Sequence, residues 1–209
     1  MNAVAMRTTM NPIKSSLATS LPLKSFSLEE YQRITRNGIL DENDRVELLY
    51  GCIISKMSIN PPHSAAVMAL NILISRLLPS GMVPRVQDPI TFPTIASEPE
   101  PDLVIASGTL KTYRTRHPRP KDIFLLVEVA DSSLSVDQGL KLQAYASEKI
   151  SPYWIVNLVA GQIEAHTHPR TLGELSYYQK RQYFQPGELI PVCLRSKEIG
   201  QLAVSDILP

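Results

Sequence analysis

Two stretches of the sequence decide the fold: E-P-E-P-D-L-V-I-A at residues 98–106 and I-F-L-L-V-E-V-A-D at residues 123–131. Both are rich in β-branched and other apolar residues, and each carries one buried-strand carboxylate, Asp102 in the first and Glu128 in the second. A carboxylate that loses its hydration pairs with a cation, binds a metal or takes up a proton. Lys141 lies on the amphipathic segment that follows. The three side chains therefore predict a site for a hard divalent cation.

The segment from residue 123 to residue 157 predicts a strand, a helix and a second strand. Residues 123–130 form a nearly continuous apolar run, which is typical of a central strand covered on both faces. The helix is expected from about Ser135 to Glu148, and Tyr153-Trp154-Ile155-Val156-Asn157 forms the second strand. This order implies two parallel strands joined by a right-handed crossover.

The chain before this unit predicts two helices and several strands. Ser27-Leu28-Glu29-Glu30 has the form of a capping box, and the helix it begins should end at Asn37-Gly38. Residues 45–54 predict two short strands that turn near Tyr50-Gly51, with Glu47 either facing outward or belonging to a site. A longer helix is expected over residues 63–78, and residues 83–92 look extended.

Three short segments follow the second strand. Residues 162–168, 175–183 and 188–194 alternate apolar and polar residues, so they are expected to add antiparallel strands to the edge of the sheet. The whole pattern predicts an α/β fold with a central mixed β-sheet flanked by helices.

Composition restricts the functional classes. The chain has 209 residues, 44% hydrophobic and 20% charged, which suffices for one well-filled core. Its formal net charge of +1 means that a polyanion must be recognised by a local cluster. Cys52 and Cys193 lack metal-ligand spacing and are predicted to be reduced, which fits a cytoplasmic protein. No apolar run approaches the roughly 20 residues that span a bilayer. Residues 1–24 predict a flexible tail.

A basic loop separates the two acid-bearing strands. Between residues 107 and 122 the periodicity ends and basic side chains accumulate: Lys111, Arg114, Arg116, Arg119 and Lys121, with Tyr113 and His117 among them. A basic loop with an aromatic residue beside a carboxylate pair suits contact with a phosphate backbone. A solvated surface loop has the same composition, so both interpretations stay open.

The residue types suit metal-dependent hydrolysis of a phosphodiester. Mg²⁺ prefers octahedral oxygen ligands and keeps several waters. Asp102 and Glu128 supply such oxygens, and the backbone carbonyl of Val129 is a candidate third ligand. The ammonium group of Lys141 can stabilise charge on the phosphate or activate the attacking water. The sequence has no Gly-rich phosphate loop, G-x-S-x-G, H-E-x-x-H or Cys–His pattern.

The order of these motifs resembles the "putative restriction endonuclease" family that is expanded in cyanobacteria, within the PD-(D/E)xK nuclease-like superfamily. The resemblance extends from about Phe26 to Leu208. It is carried by the following strings: R-V-E-L-L-Y-G (45–51), S-E-P-E-P-D-L-V-I (97–105), L-L-V-E-V-A-D-S-S (125–133), K-L-Q-A-Y-A (141–146) and Y-W-I-V-N (153–157).

The resemblance assigns roles to individual residues. Pro101-Asp102 matches the "PD", Glu128 the second acid, and Glu47 the acid of the upstream strand. The usual motif places a lysine two residues after the second acid, where this chain has Ala130. The resemblance implies that Lys141, on the next helix, takes the place of that lysine.

The resemblance also implies a fold and an activity. Residues 25–209 would form a restriction-endonuclease-like domain, with the metal site where the strands of Asp102 and Glu128 diverge. The protein would be an endonuclease that uses Mg²⁺ or Mn²⁺ to hydrolyse DNA, acting as a cytoplasmic homodimer. Asp102, Glu128 and the Val129 carbonyl would bind metal, Lys141 would orient or activate water, and Glu47 would hold a second metal or a water.

Three further expectations complete this interpretation. The basic loop would contact phosphates, and His63 and Gln87 are possible accessory residues, although a histidine in the first turn of a helix also serves as a cap or surface residue. A catalytically silent nuclease-fold protein that binds nucleic acid or a protein partner is the alternative. A metal-dependent hydrolase of a smaller phosphate ester is a third, weaker interpretation.

Overall fold

The structure is a computed structural model, and it describes residues 23–209. The predicted flexible tail, residues 1–24, therefore lies outside the described residues except for its last two positions. Within the described part, no helix has the length and apolar character needed to cross a membrane.

The described residues contain three helices. Helix α1 spans Leu28–Arg36 and α2 spans Pro61–Ser75. Helix α3 is built from three consecutive pieces: α-helical Leu134–Val136, π-helical Asp137–Lys141 and α-helical Leu142–Ser147. Short 3₁₀ turns occupy Pro93–Ile95, Pro120–Asp122 and Val204–Asp206.

Ten strands occur in the described residues. In chain order they are β1 Val46–Leu49, β2 Cys52–Ser55, β3 Met82–Val86, β4 Leu103–Ser107, β5 Ile123–Ala130, β6 Tyr153–Asn157, β7 Gln162–Leu172, β8 Leu175–Phe184, β9 Leu189–Leu194 and β10 Lys197–Ala203.

A six-stranded mixed sheet forms the centre, in the order β3-β4-β5-β6-β7-β8. Strands β5 and β6 are parallel, and every other neighbouring pair in this sheet is antiparallel. The predicted α/β class, with a mixed sheet flanked by helices and antiparallel strands towards the C terminus, is confirmed.

The side chains of β5 alternate between two hydrophobic cores. Leu125, Val127 and Val129 face the core that includes α2, β9 and β10. Leu126 and Ala130 face the core that includes α3. Since successive strand residues point to opposite faces, Glu128 lies on the α3 side of the sheet. The predicted burial of this strand on both faces is confirmed.

Helix α1 and the turn between β1 and β2 form where the sequence predicted them. Ser27 caps α1 through a capping box with Glu30, and Asn37 ends the helix. The turn between β1 and β2 uses Gly51 at φ +74°, where a Cβ would stand 2.8 Å from the carbonyl oxygen of Phe26. This close approach and the left-handed backbone both favour glycine at that position.

Other boundaries and one placement differ from the expectations. Helix α2 begins two residues earlier, at Pro61, because Asn60 caps it, and it ends at Ser75. The extended segment predicted over residues 83–92 ends as a strand at Val86.

Strand β9 does not join the edge of the large sheet: it pairs with β10 in a separate two-stranded sheet that covers the α2-side core. The predicted edge position of residues 188–194 is wrong.

Candidate active site

Asp102 and Glu128 meet at one end of the β4–β5 hairpin. Asp102 directly precedes β4, and Leu103 pairs with Val127, so the two acids become neighbours beyond the last paired residues. The Asp102 backbone N–H points at Glu128 Oε2 across 3.4 Å, and the Val129 N–H donates to Asp102 Oδ2 at 2.8 Å. Both carboxylates are buried. The structure brings together the acid pair that the sequence predicted.

Lys141 lies between two of the predicted acids. Its Nζ is 3.0 Å from Glu128 Oε1 and 3.1 Å from Glu47 Oε1. Glu47 also accepts a hydrogen bond from the Glu100 N–H, and it is only 3% exposed. The outward-facing interpretation of Glu47 is therefore wrong. A lysine on the helix after the strand does reach the second acid, as the resemblance implied.

His63 and Gln87 both contact Asp102. The Nε2 of His63 is 3.2 Å from Asp102 Oδ2, and the Gln87 side-chain amide donates to Oδ1 at 3.1 Å. Asn60 caps the first turn of α2 by accepting from the His63 N–H, which places the ring over the acid. Gln87 reaches Asp102 from a left-handed residue, φ 51°, directly after β3. Both residues therefore contact Asp102 directly, one at each of its carboxylate oxygens.

Sequence reasoning missed the roles of Asp137 and Tyr145. The Tyr145 hydroxyl donates to Glu128 Oε1 at 2.6 Å. Asp137 is buried, accepts from Ser133 at 2.6 Å, and has its Oδ1 3.9 Å from Lys141 Nζ. The sequence carries a signal for these roles, because residues 137, 141 and 145 follow an i,i+4 spacing that places their side chains on one helical face.

Burial dominates the ionisation of two acids in the cluster. It raises the pKa of Glu128 well above its ordinary value, and the charges of Asp137, Asp102 and Glu47 add to the rise against the opposing effect of Lys141. Burial likewise raises the pKa of Asp137 to about 6, although Lys141 and the Ser133 hydrogen bond counteract it. The ion pairs with Glu128, Glu47 and Asp137 outweigh burial at Lys141 and raise its pKa.

Asp102 behaves in the opposite way. Burial alone would raise its pKa, but hydrogen bonds and charge from His63, with the Val129 N–H and Gln87, hold the pKa of Asp102 below its ordinary value. The same contact with Asp102 raises the pKa of His63. Asp102 thus stays ionised more readily than Glu128 or Asp137.

The acids line a cleft of about 320 Å³ between β1–β2 and the start of α3. Seven carboxylate residues line it: Glu42, Glu47, Glu100, Asp102, Glu128, Asp131 and Asp137. The cationic side chains are Arg45, Lys56 and Lys141, with His63 beside them, and Lys56 is paired with Glu100. The excess of negative charge favours a cation over an unaccompanied phosphate at this position.

The donor set has the right chemistry for a hard cation but is not arranged around one. Among residues 23–209, no group of three or more His, Cys, Asp or Glu side chains has the geometry to hold a metal ion. The reason is that Lys141 stands between Glu47 and Glu128, while His63 and the Val129 N–H bind Asp102 Oδ2. Glu128 Oε2 has a single contact at 3.4 Å, and Asp137 Oδ1 has no hydrogen-bond partner in the described residues, so these two oxygens keep coordination capacity.

The basic loop does not lie beside the acids. It connects the end of β4 at Ser107 to the start of β5 at Ile123, whereas Asp102 and Glu128 lie at the other end of these antiparallel strands. Five residues of β4 correspond to about 17 Å. Within the loop, Arg116 pairs with Asp122 and stacks on Tyr113. The expectation that this loop borders the carboxylate pair is wrong, while a contact between Lys111, Arg114, Arg116, Arg119 or Lys121 and phosphate stays a prediction.

This fold and site define the class of protein, an α/β protein of the restriction-endonuclease-like type. The chain belongs to the Uma2 family, described as "Putative restriction endonuclease", whose model matches residues 28–204. The resemblance inferred from the sequence motifs is confirmed.

A solved structure shows the same fold. The chain is similar to the crystal structure of a "putative nuclease belonging to DUF820" from Anabaena variabilis, with 15% identity and a TM-score of 0.61. The match covers 89% of this chain and 97% of that chain. No curated protein sequence matches this chain.

Proposed function

We propose that the protein is a Mg²⁺-dependent endonuclease that hydrolyses DNA phosphodiester bonds. The observation that carries the proposal is the pairing of Asp102 with Glu128 at the end of one hairpin, with Lys141 bound to Glu128. Membership of a restriction endonuclease family supports it. We further propose that the protein acts in the cytoplasm as a homodimer, by analogy with nucleases that cut both strands.

The residues of the cluster have distinct roles in this proposal. Mg²⁺ or Mn²⁺ would be held by Asp102, Glu128 and the Val129 carbonyl, and would supply positive charge to the phosphate oxygens. Asp102 is kept ionised by His63 and Gln87, which orient both of its oxygens. Lys141 keeps its proton on Nζ and offers it as a hydrogen-bond donor to an attacking water or to a phosphate oxygen. Glu47 holds Lys141, with which it forms an ion pair, or would hold a second metal or a water.

One observation favours a second candidate, a nuclease-fold protein that binds nucleic acid or a protein partner without cleaving. Lys141 forms ion pairs with two of the carboxylates that a metal would need, so the cluster is internally neutralised in part. A buried ion-pair cluster of this kind also occurs as a purely structural feature. Metal-dependent cleavage therefore separates the two candidates.

The decisive experiment is cleavage of supercoiled plasmid in Mg²⁺ or Mn²⁺ by the wild type and by Asp102→Ala, Glu128→Ala and Lys141→Ala. We expect the wild type to nick or linearise the plasmid and each variant to lose at least about 100-fold in rate, which is the size of effect that a catalytic electrostatic group has. Lys180→Ala changes an exposed lysine on β8 and serves as the matched control. Circular dichroism checks that each variant is folded.

Calorimetric titration with Mg²⁺ accompanies the cleavage assay. Asp102→Ala should abolish metal binding together with cleavage. Unchanged cleavage by Asp102→Ala would disprove the assignment of the site. If no protein cuts while the wild type still binds metal or DNA, the non-catalytic candidate is the correct one.

A further inference from the structure

The turn that carries Lys141 is π-helical. Residues Asp137–Lys141 form one π turn between two α-helical pieces of α3. Such turns are rare, and they occur frequently at functional sites. Asp137 and Lys141 both enter the cluster from this turn. The position of the turn therefore determines where Nζ of Lys141 stands relative to Glu47 and Glu128.

Buried side chains of the sheet form hydrogen bonds with this turn. The Tyr153 hydroxyl of β6 donates to the backbone carbonyl of Asp137 at 3.0 Å. Glu164 of β7 accepts at Oε1 from the side-chain amides of Gln138 and Asn157, each at 2.8 Å. Tyr153 is 0% exposed and Glu164 is 1% exposed. The turn is thus tied to two neighbouring strands at two consecutive residues, 137 and 138.

The bond from Gln138 satisfies a buried carboxyl group. A buried polar group costs free energy unless hydrogen-bond partners satisfy it, and Oε1 of Glu164 has two side-chain amides as donors. Glu164 Oε2 has no hydrogen-bond partner in the described residues, and His166 Nε2 is 3.5 Å away. Burial lowers the pKa of His166 to about 4, so this ring is neutral at pH 7. Glu164 therefore depends on the two amides at its other oxygen.

Gln138 lies outside the cleft that the acids line. Its side chain reaches β7 and is not among the residues that line the cleft. The side chain of Gln143, five residues further along the same helix, makes no hydrogen bond in the described part of the chain. The two glutamines offer a matched pair, one tethered to the sheet and one not.

We propose that Gln138, bound to Glu164, is a positioning residue for Lys141. The tether fixes the π turn so that the Lys141 ammonium stays within about 3 Å of both Glu47 and Glu128. The consequence for cleavage rests on the proposed function, whereas the placement of Lys141 does not. Gln138 would therefore affect the chemical step and leave binding of DNA unchanged.

The test compares Gln138→Ala with Gln143→Ala in two measurements. In plasmid cleavage, Gln138→Ala should lower kcat about tenfold with KM unchanged, while Gln143→Ala stays within twofold of the wild type. In protein with ¹³C-labelled lysine, the ¹³Cε resonance of Lys141, assigned by its loss in Lys141→Ala, should shift in Gln138→Ala only. Both substitutions are at partly accessible helix positions, so both variants are expected to fold.

The outcomes are distinct from those of the proposed function. If the wild type does not cleave, a shifted Lys141 resonance in Gln138→Ala alone still supports the positioning role. An unchanged resonance in Gln138→Ala, or equal shifts in the two variants, would overturn it. A loss of kcat without a shift of the Lys141 resonance would overturn it as well, because Gln138 would then act by another route.

Discussion

The two ends of the β4–β5 hairpin differ in charge, burial and bonding. One end holds Asp102 and Glu128, which are buried and bonded to His63, Lys141 and their own backbone neighbours. The other end holds a basic loop in which Lys111, Arg114, Arg119 and Lys121 are exposed. Charges at the first end are coupled to the stability of the fold, and charges at the second end act mainly on solvent and partners.

The same ionic residue should therefore have very different effects at the two ends. A buried charge that loses its partner is uncompensated in a medium of low polarity. An exposed charge is screened by water and salt. The following expectations test this contrast from the largest effect to the smallest.

Replacing Lys141 by alanine should have the largest effect on stability. The change leaves Glu47 and Glu128 without their common cation, so we expect the free energy of unfolding at pH 7.5 to fall by about 3–5 kcal/mol. The loss should be smaller at pH 5, because Glu128, whose pKa is raised by burial, then takes up a proton. Urea denaturation at both pH values measures it. Lys121→Ala, at the exposed end, should change stability by less than about 0.5 kcal/mol, and equal losses in the two variants would contradict the contrast.

Replacing Asp137 by asparagine should stabilise the protein at neutral pH. The folded pKa of about 6 exceeds the ordinary value of 3.8, so the folded state binds more protons than the unfolded state between these values. Stability contributed by the protonated acid is therefore lost as the pH rises through this window. We expect Asp137→Asn to gain about 1–3 kcal/mol at pH 7.5 and almost nothing at pH 4. Asp206→Asn is the exposed control, and a gain that does not depend on pH would refute the assignment.

Replacing two arginines of the basic loop should have the smallest effect. Each phosphate contact makes the negative slope of log K against log salt steeper by about 0.9. The slope of the variant with Arg114→Ala and Arg119→Ala should therefore be shallower than that of the wild type by about two units. Its kcat should equal that of the wild type, since the loop is remote from the acids. Fluorescence anisotropy with a DNA duplex at several salt concentrations measures the slope. Arg33→Ala with Arg36→Ala, on α1, is the control, and an unchanged slope in the loop variant identifies the loop as a solvated surface.

Much of the site could be predicted from the sequence, because burying a charged side chain in an apolar strand costs free energy. An acid inside an apolar strand needs a partner, and this requirement identified Asp102, Glu128 and Lys141 before their contacts were known. The capping box at Ser27 and the apolar run of β5 are equally local signals. These features follow from short stretches of sequence.

The errors concern placement in three dimensions. The basic loop adjoins the acids in sequence, which predicts that it lies beside them, but an antiparallel hairpin puts its connection at the end opposite to the start of β4. Strand β9 shows the alternation of an edge strand, but Ile190, Val192 and Leu194 complete the core on the α2 side. The π turn depends on Tyr153 and Glu164, which lie on strands that follow it in the chain. Such effects arise only when distant segments pack.

The outer strands of the large sheet also bear on how copies of this protein meet. In the described chain β3 and β8 have a neighbour on one side only, which leaves backbone groups open to strand addition and aggregation. Strand β3 carries Pro84 at its centre, where no N–H is available, and β8 carries Lys180 and Arg181 near its centre. Proline and adjacent positive charges discourage a second sheet from docking edge to edge. The homodimer proposed above would therefore not form by pairing β3 or β8 edge to edge, and the large sheet itself would stay six strands wide.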